Sequence, residues 1–139
     1  MAGDRKVERI KTLPFFANAS KDAVQALARA ADQVDVSAGR TLIQEGDVNL
    51  VAYIVEAGEA EVVVRGEAVA TIDAGEMIGE VGFFSRGAAT ATVRAKTDMT
   101  VFSLPYNRFD SVLDENPAML RAIAEELAHR LRDMDARHC

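Results

Sequence analysis

Cysteine, histidine and clustered positive charge are scarce in this chain, and each shortage excludes a class of chemistry. The one cysteine, Cys139, stands at the last position. An internal disulfide and a cysteine metal cluster are therefore excluded, and a reducing, cytoplasmic setting is expected. The two histidines, His129 and His138, both fall within the last eleven residues. There is no His-x-x-x-His pair, no Ser/His/Asp set with a glycine elbow and no Walker loop. The expectation is no catalytic residue, no metal-ligand set and no resident cofactor, so the chain does not read as an enzyme. No run of about 18 apolar residues is present, so no transmembrane helix is expected. Met1 to Thr12 is charged and carries no apolar core, which argues against export. Lys and Arg number 16 against 22 Asp and Glu, a net charge of −6. With no basic cluster, nucleic acid is not an expected partner of this chain alone. An anionic small ligand would need locally positive potential against that overall field.

What is present is ordinary for a folded domain: 49% hydrophobic and 27% charged residues over 139 positions. That length fits one domain with one core. Val7, Ile10 and Leu13 predict a short amphipathic helix over Asp4 to Thr12, ended by Leu13-Pro14, with Phe15 and Phe16 as a buried plug. Ser20 is a good N-cap for a helix over Lys21 to Ala31, whose apolar residues recur at helical spacing. From Val34 the period changes to short strands: Val34/Val36, Leu42/Ile43, Tyr53 to Val55, Glu61 to Val64, Ala68 to Ile72, Thr90 to Ala95 and Thr100 to Leu104. Turns such as Ala38-Gly39, Glu45-Gly46-Asp47, Arg65-Gly66-Glu67 and Asp73-Ala74-Gly75-Glu76 separate them. Strands of about five residues at regular turns predict an antiparallel barrel or jelly roll. Pro105 opens a helix to about Asp114, and Asn116-Pro117 caps and starts the last one. Leu120, Ile123, Leu127, Leu131 and Met134 make one stripe along it, either core or the seam of a homodimer. The fold class is α+β, with helices at both ends of the strands. A single domain over 1–139 is expected, helical in 4–31, a β-barrel in 32–104 and helical again in 105–137.

The segment Gly79 to Ala95 carries most of the functional information. It runs from a glycine-framed turn holding a carboxylate, Gly79-Glu80-Val81-Gly82, through a loop to a strand of small residues. Such a segment offers backbone N–H groups to an anion and one acceptor to a hydroxyl. Plainer readings stand beside that one. Glu80 can be a paired core carboxylate, Thr90 and Thr92 simple strand residues, and the glycines the residues a turn requires.

Leu13-Pro14-Phe15-Phe16, Ile43-Gln44-Glu45-Gly46-Asp47, Tyr53 to Val62, Gly79-Glu80-Val81-Gly82 and Thr90-Ala91-Thr92-Val93-Arg94-Ala95 occur in this order. In order and spacing the chain resembles the cyclic nucleotide-binding domain of bacterial regulators, channels and kinase regulatory subunits, from about Leu13 to Met134. The likeness is to the catabolite activator protein-like sensor domain. It implies an eight-stranded jelly roll (a double-stranded β-helix) with a helix before it and two after it. It also implies that Glu80 accepts a ribose 2′-hydroxyl. Gly79, Val81, Gly82 and the Thr90–Ala91 peptide then present amides to a cyclic phosphate, and the Thr90 hydroxyl joins them. Where the family carries its phosphate-binding arginine, this chain has Ala89. Arg86, three residues earlier, and Arg94, on one strand face with Thr90 and Thr92, are the candidate substitutes. The implied function is a bacterial, cytoplasmic signal-transduction module. It would bind cyclic AMP, cyclic GMP or another small anionic ligand at Gly79 to Thr92 and relay the event through the helices of Pro105 to Arg137. Its alternative is a domain that has lost the ligand and serves as a dimerisation or protein-interaction scaffold. A partner domain or a second copy at Leu120 to Met134 completes the expected partners.

Overall fold

The computed structural model describes residues 2–138, with side chains described for 5–80 and 82–133. Helix α1 (Ala2–Thr12) buries Ile10 and leans Val7 on the same cluster. Pro14 cannot extend it, and a 3₁₀ turn over Pro14–Phe16 drives Phe15 and Phe16 into the interior. Helix α2 (Lys21–Ala30) starts at Ser20, whose Oγ accepts the Ala23 N–H at 3.1 Å. Arg9 of α1 ties this helical end to the barrel. Its guanidinium donates to the Glu56 carboxylate at 2.8 and 3.2 Å and to the Glu56 carbonyl at 3.1 Å.

Eight strands follow: β1 (Asp32–Val36), β2 (Thr41–Ile43), β3 (Val51–Ala57), β4 (Ala60–Val64), β5 (Glu67–Ile72), β6 (Met77–Ile78), β7 (Thr92–Ala95) and β8 (Met99–Pro105). They form two four-stranded sheets of order β1-β8-β3-β6 and β2-β7-β4-β5. Every pairing is antiparallel. The expected jelly roll is the fold found. The β4–β5 hairpin turns at Arg65-Gly66, both at positive φ (+51° and +83°), the backbone a two-residue hairpin loop requires. Helix α3 (Glu80–Ser85) lies between β6 and β7, and α4 (Tyr106–Glu115) and α5 (Pro117–His138) follow β8.

Two elements lie outside the periodic pattern. Strand β6 has two residues and α3 six, too short for alternation or a helical stripe to register. Strand β7 also starts later than expected, at Thr92. Ala88 and Ala89 pair instead with the loop before β3: the Gly46 N–H donates to the Ala89 carbonyl and the Ala89 N–H to the Asp47 carbonyl, both at 2.8 Å. Asn116 serves the end of α4, where its Nδ2 donates to the Val112 carbonyl at 2.8 Å.

The interior has two parts. Val36, Ile43, Val55, Ala60, Ile78, Val93, Met99 and Val101 fill the barrel. The helical segments pack on its outside through Ile10, Phe16, Leu27, Phe109 and Ile123, against Phe102 and Leu104 of β8. Phe109 of α4 joins the two ends of the chain, stacking on Phe83 of α3 at 4.5 Å and meeting Phe16 edge-on at 6.1 Å. The stripe on α5 divides. Ile123 is buried and Leu127 leans on the helical cluster, while Leu120 and Leu131 are 47% and 62% exposed. The side chain of Met134 lies outside the described residues, as do those of His138 and Cys139.

Candidate functional site: a cavity between the Gly79 to Thr92 segment and helix α4

Gly79 precedes α3 with φ +85°, a conformation that suits glycine. A Cβ there would sit 2.9 Å from the Val51 carbonyl oxygen and 3.1 Å from Asn49 Nδ2. Gly82 has an ordinary φ but no space, since its Cβ would lie 2.8 Å from the Tyr106 hydroxyl. Tyr106 opens α4, and its hydroxyl donates to the Gly79 carbonyl. Asn49 Nδ2 donates to the Tyr106 hydroxyl at 3.1 Å and to the Val51 carbonyl at 2.6 Å. The glycine-framed turn is thus held from both sides, by Asn49 before β3 and by Tyr106 after β8.

The turn, the loop after α3 and these two side chains enclose a cavity of about 210 Å³. Gly79, Gly82, Ala89, Thr90 and Ala91 line it, five of the nine residues expected to bind a ligand. Ile43, Asn49, Ser85, Gly87, Ala88, Val93 and Tyr106 complete the wall. Among the described residues, the Thr90 and Ala91 amides donate no hydrogen bond within the chain, whereas that of Ala89 is committed to Asp47.

The other four expected residues lie elsewhere. The backbone of Val81 is in α3, and its side chain lies outside the described residues. The chain reverses at Arg86 and Gly87, with φ +59° and +110°. The Arg86 side chain points to α4, 3.7 Å from the Asp110 carboxylate and 71% exposed. The Thr92 hydroxyl accepts the Glu45 N–H at 3.0 Å and Gln44 Nε2 at 3.3 Å, closing the end of β2. Glu80 faces a second cavity of about 290 Å³, walled by Leu13, Pro14, Phe15, Gly75, Glu76, Met77 and Arg130. Arg94, the other candidate substitute, is held across the β4–β7 pair by Glu61 at 2.8 Å.

Glu80 is the least settled group of the region. Its Oε2 is buried and has no hydrogen-bond partner among the described residues. Burial pushes its pKa up; its own backbone N–H and the Arg130 guanidinium hold it down, and Glu76 pushes it up further. Arg130 of α5 stands 4.3 Å above the Phe15 ring and reaches Glu126 at 3.4 Å. Burial also raises the Tyr106 pKa; the Asn49 hydrogen bond lowers it, and Glu80 and Tyr53 raise it. The Tyr106 hydroxyl therefore keeps its proton and acts as a donor.

Asn49, Tyr106, Ser85 and Arg130 were not among the expected site residues. The missed contacts are long-range: Tyr106 is 27 positions from Gly79 and 57 from Asn49. The available signal was Tyr106 itself, a tyrosine following Pro105 where a strand hands over to a helix. Among the described residues no helix is long and apolar enough to cross a membrane, and no cluster of His, Cys, Asp or Glu has a metal site's composition.

Residues 33–116 match the family described as the cyclic nucleotide-binding domain. The potassium/sodium hyperpolarization-activated cyclic nucleotide-gated channel 2 of Mus musculus is 31% identical over 122 residues, covering 88% of this chain and 14% of the channel. Channel 1 of Homo sapiens is 32% identical over the same length. The chain thus spans about one seventh of the curated relatives it matches. The N-terminal domain of a transcriptional regulator from Streptomyces coelicolor A3(2) superposes with a TM-score of 0.80 at 26% identity, over 92% of this chain and 95% of that one. The Thermus thermophilus catabolite activator protein shares the fold, with a TM-score of 0.77 at 22% identity, over 89% of this chain and 61% of its own.

Proposed function

The chain belongs to the cyclic nucleotide-binding domain family, and from that premise we propose that it is a sensor module whose small ribose-bearing ligand docks against the Gly79–Thr92 cassette. One observation carries this reading: Thr90 and Ala91 line the cavity beside the cassette, and their amides donate no hydrogen bond among the described residues. Each of those donors met by an acceptor on a ligand contributes about 0.5–1.5 kcal/mol. Glu80, whose buried Oε2 has no partner among the described residues, faces the second cavity instead.

The relay runs through contacts that join the cassette to the last two helices. Tyr106 is the first residue of α4 and bonds the Gly79 carbonyl. Phe83 of α3 stacks on Phe109 of α4, and Arg130 of α5 walls the cavity that holds Glu80. A ligand that tightens the cassette changes these contacts, and it shifts the helices to the extent that it binds the two arrangements differently. The exposed Leu120 and Leu131, with Leu127 between them, provide the face on which a second copy docks.

The test is thermal unfolding with cyclic AMP, cyclic GMP, adenosine and guanosine, each at millimolar concentration, together with hydrogen exchange over α4 and α5. A melting shift with altered protection in those helices is expected from at least one of the four. No shift from any of them rejects sensing.

A further inference from the structure

We propose that the cavity beside Ala89 takes an uncharged ribose-bearing molecule, a nucleoside, in preference to the matching cyclic nucleotide. This rests on the sensor reading above and narrows its ligand class. No lysine, arginine or histidine lines the cavity among the described residues. The polar side chains of its wall are Asn49, Ser85, Thr90 and Tyr106, all neutral hydrogen-bonding groups. The arginines near enough in sequence to supply a charge are engaged elsewhere, Arg86 with Asp110 and Arg94 with Glu61. Arg130 walls the other cavity, where it caps the Phe15 ring and pairs with Glu126. Glu80 faces that other cavity as well and brings no positive charge to this one.

The cost of removing an ion from water is repaid only by a counter-charge and a full set of hydrogen bonds, whereas a hydroxyl needs one or two neutral partners. Free amides and neutral side chains meet the second demand here and leave the first unmet. The residue that decides this is Ala89. Its carbonyl and amide are fixed against Gly46 and Asp47, so its methyl group is held at the wall by backbone pairing.

Isothermal titration of the whole chain with adenosine, guanosine, cyclic AMP and cyclic GMP, at low and high salt, tests the assignment. A nucleoside is expected to bind at least about tenfold more tightly than its own cyclic phosphate, with affinity insensitive to salt. Ala89→Arg, checked for folding by circular dichroism, is expected to strengthen cyclic nucleotide binding at least about tenfold and to introduce salt dependence. The comparison on the unaltered chain stands whether or not that variant folds. A cyclic nucleotide that binds as tightly as its nucleoside overturns the proposal and leaves the sensor reading in place. So does a folded Ala89→Arg chain with no gain for cyclic nucleotides. Silence from all four compounds overturns both.

Discussion

Gly82→Ala should change sign as a stability effect when Tyr106 loses its hydroxyl. Gly82 lies in α3 with ordinary helical φ, where alanine is favoured over glycine by about 0.5–1 kcal/mol. The added methyl would stand 2.8 Å from the Tyr106 hydroxyl and 3.9 Å from the ring carbon that bears it. The ring is not free to move away, since it packs edge-on to Phe83 at 5.2 Å and its hydroxyl is bonded to Gly79 and Asn49. Displacing the hydroxyl therefore loses two hydrogen bonds worth about 0.5–1.5 kcal/mol each. Against the helix gain, Gly82→Ala in the unaltered chain should destabilise by about 1 kcal/mol. Tyr106→Phe alone should cost about 1–2 kcal/mol, because the Gly79 carbonyl loses its donor. In the Tyr106→Phe background the methyl keeps only the ring carbon at an ordinary contact distance of 3.9 Å, and Gly82→Ala should stabilise by about 0.5–1 kcal/mol. Urea unfolding of the four proteins closes the cycle, with an expected coupling of about 1.5–2 kcal/mol. Equal effects of Gly82→Ala in both backgrounds would refute the contact and, with it, the link between cassette and α4 through Tyr106.

Other outcomes follow from single contacts. The Glu80 pKa is raised above its ordinary 4.5 by burial, so the folded chain holds that proton more tightly than the unfolded one. Its contribution to stability is full below 4.5 and is lost as pH rises through the higher folded value. Glu80→Gln should then be the more stable protein at neutral pH, with the advantage vanishing in acid; urea midpoints across that range decide it, and a flat difference would contradict the burial argument. Phe109→Ala, at a site 1% exposed and packed on Phe16 and Phe83, should cost about 3–5 kcal/mol in calorimetry. Arg9→Ala breaks a half-buried pair and a bond to the Glu56 carbonyl; chemical denaturation should report a loss of about 1–3 kcal/mol. Under the proposed docking of a second copy on α5, Leu131→Glu should leave a monomer in light scattering with its melting temperature unchanged, because that side chain is exposed.

The local punctuation of the chain was enough to predict the end helices, the hairpin at Arg65-Gly66 and most strands. Each depends on residues a few positions apart: Ser20 capping α2, Pro14 and Pro117 setting helix boundaries, alternation through β3. The short β6 and α3 escaped because two and six residues carry no period, and packing against β3 and α4 holds them in shape. At the site, the glycines were legible as necessary, but the reasons were not. Gly79 is fixed by Val51 and Asn49, and Gly82 by Tyr106, partners from β3, the loop before it and another helix.

Side-chain direction was the harder matter. Glu80, Arg86 and Thr92 all belong to the cassette by position, yet they face a second cavity, the surface of α4 and the end of β2. One backbone reversal at Arg86-Gly87 and one register that begins at Thr92 separate them from Ala89 to Ala91. The order of residues alone determined which turns, caps and strands form, because those answer to neighbours along the chain. Only the folded chain decided which side chains wall the cavity, since Asn49 and Tyr106, 57 positions apart, meet through the pairing of β3 with β8.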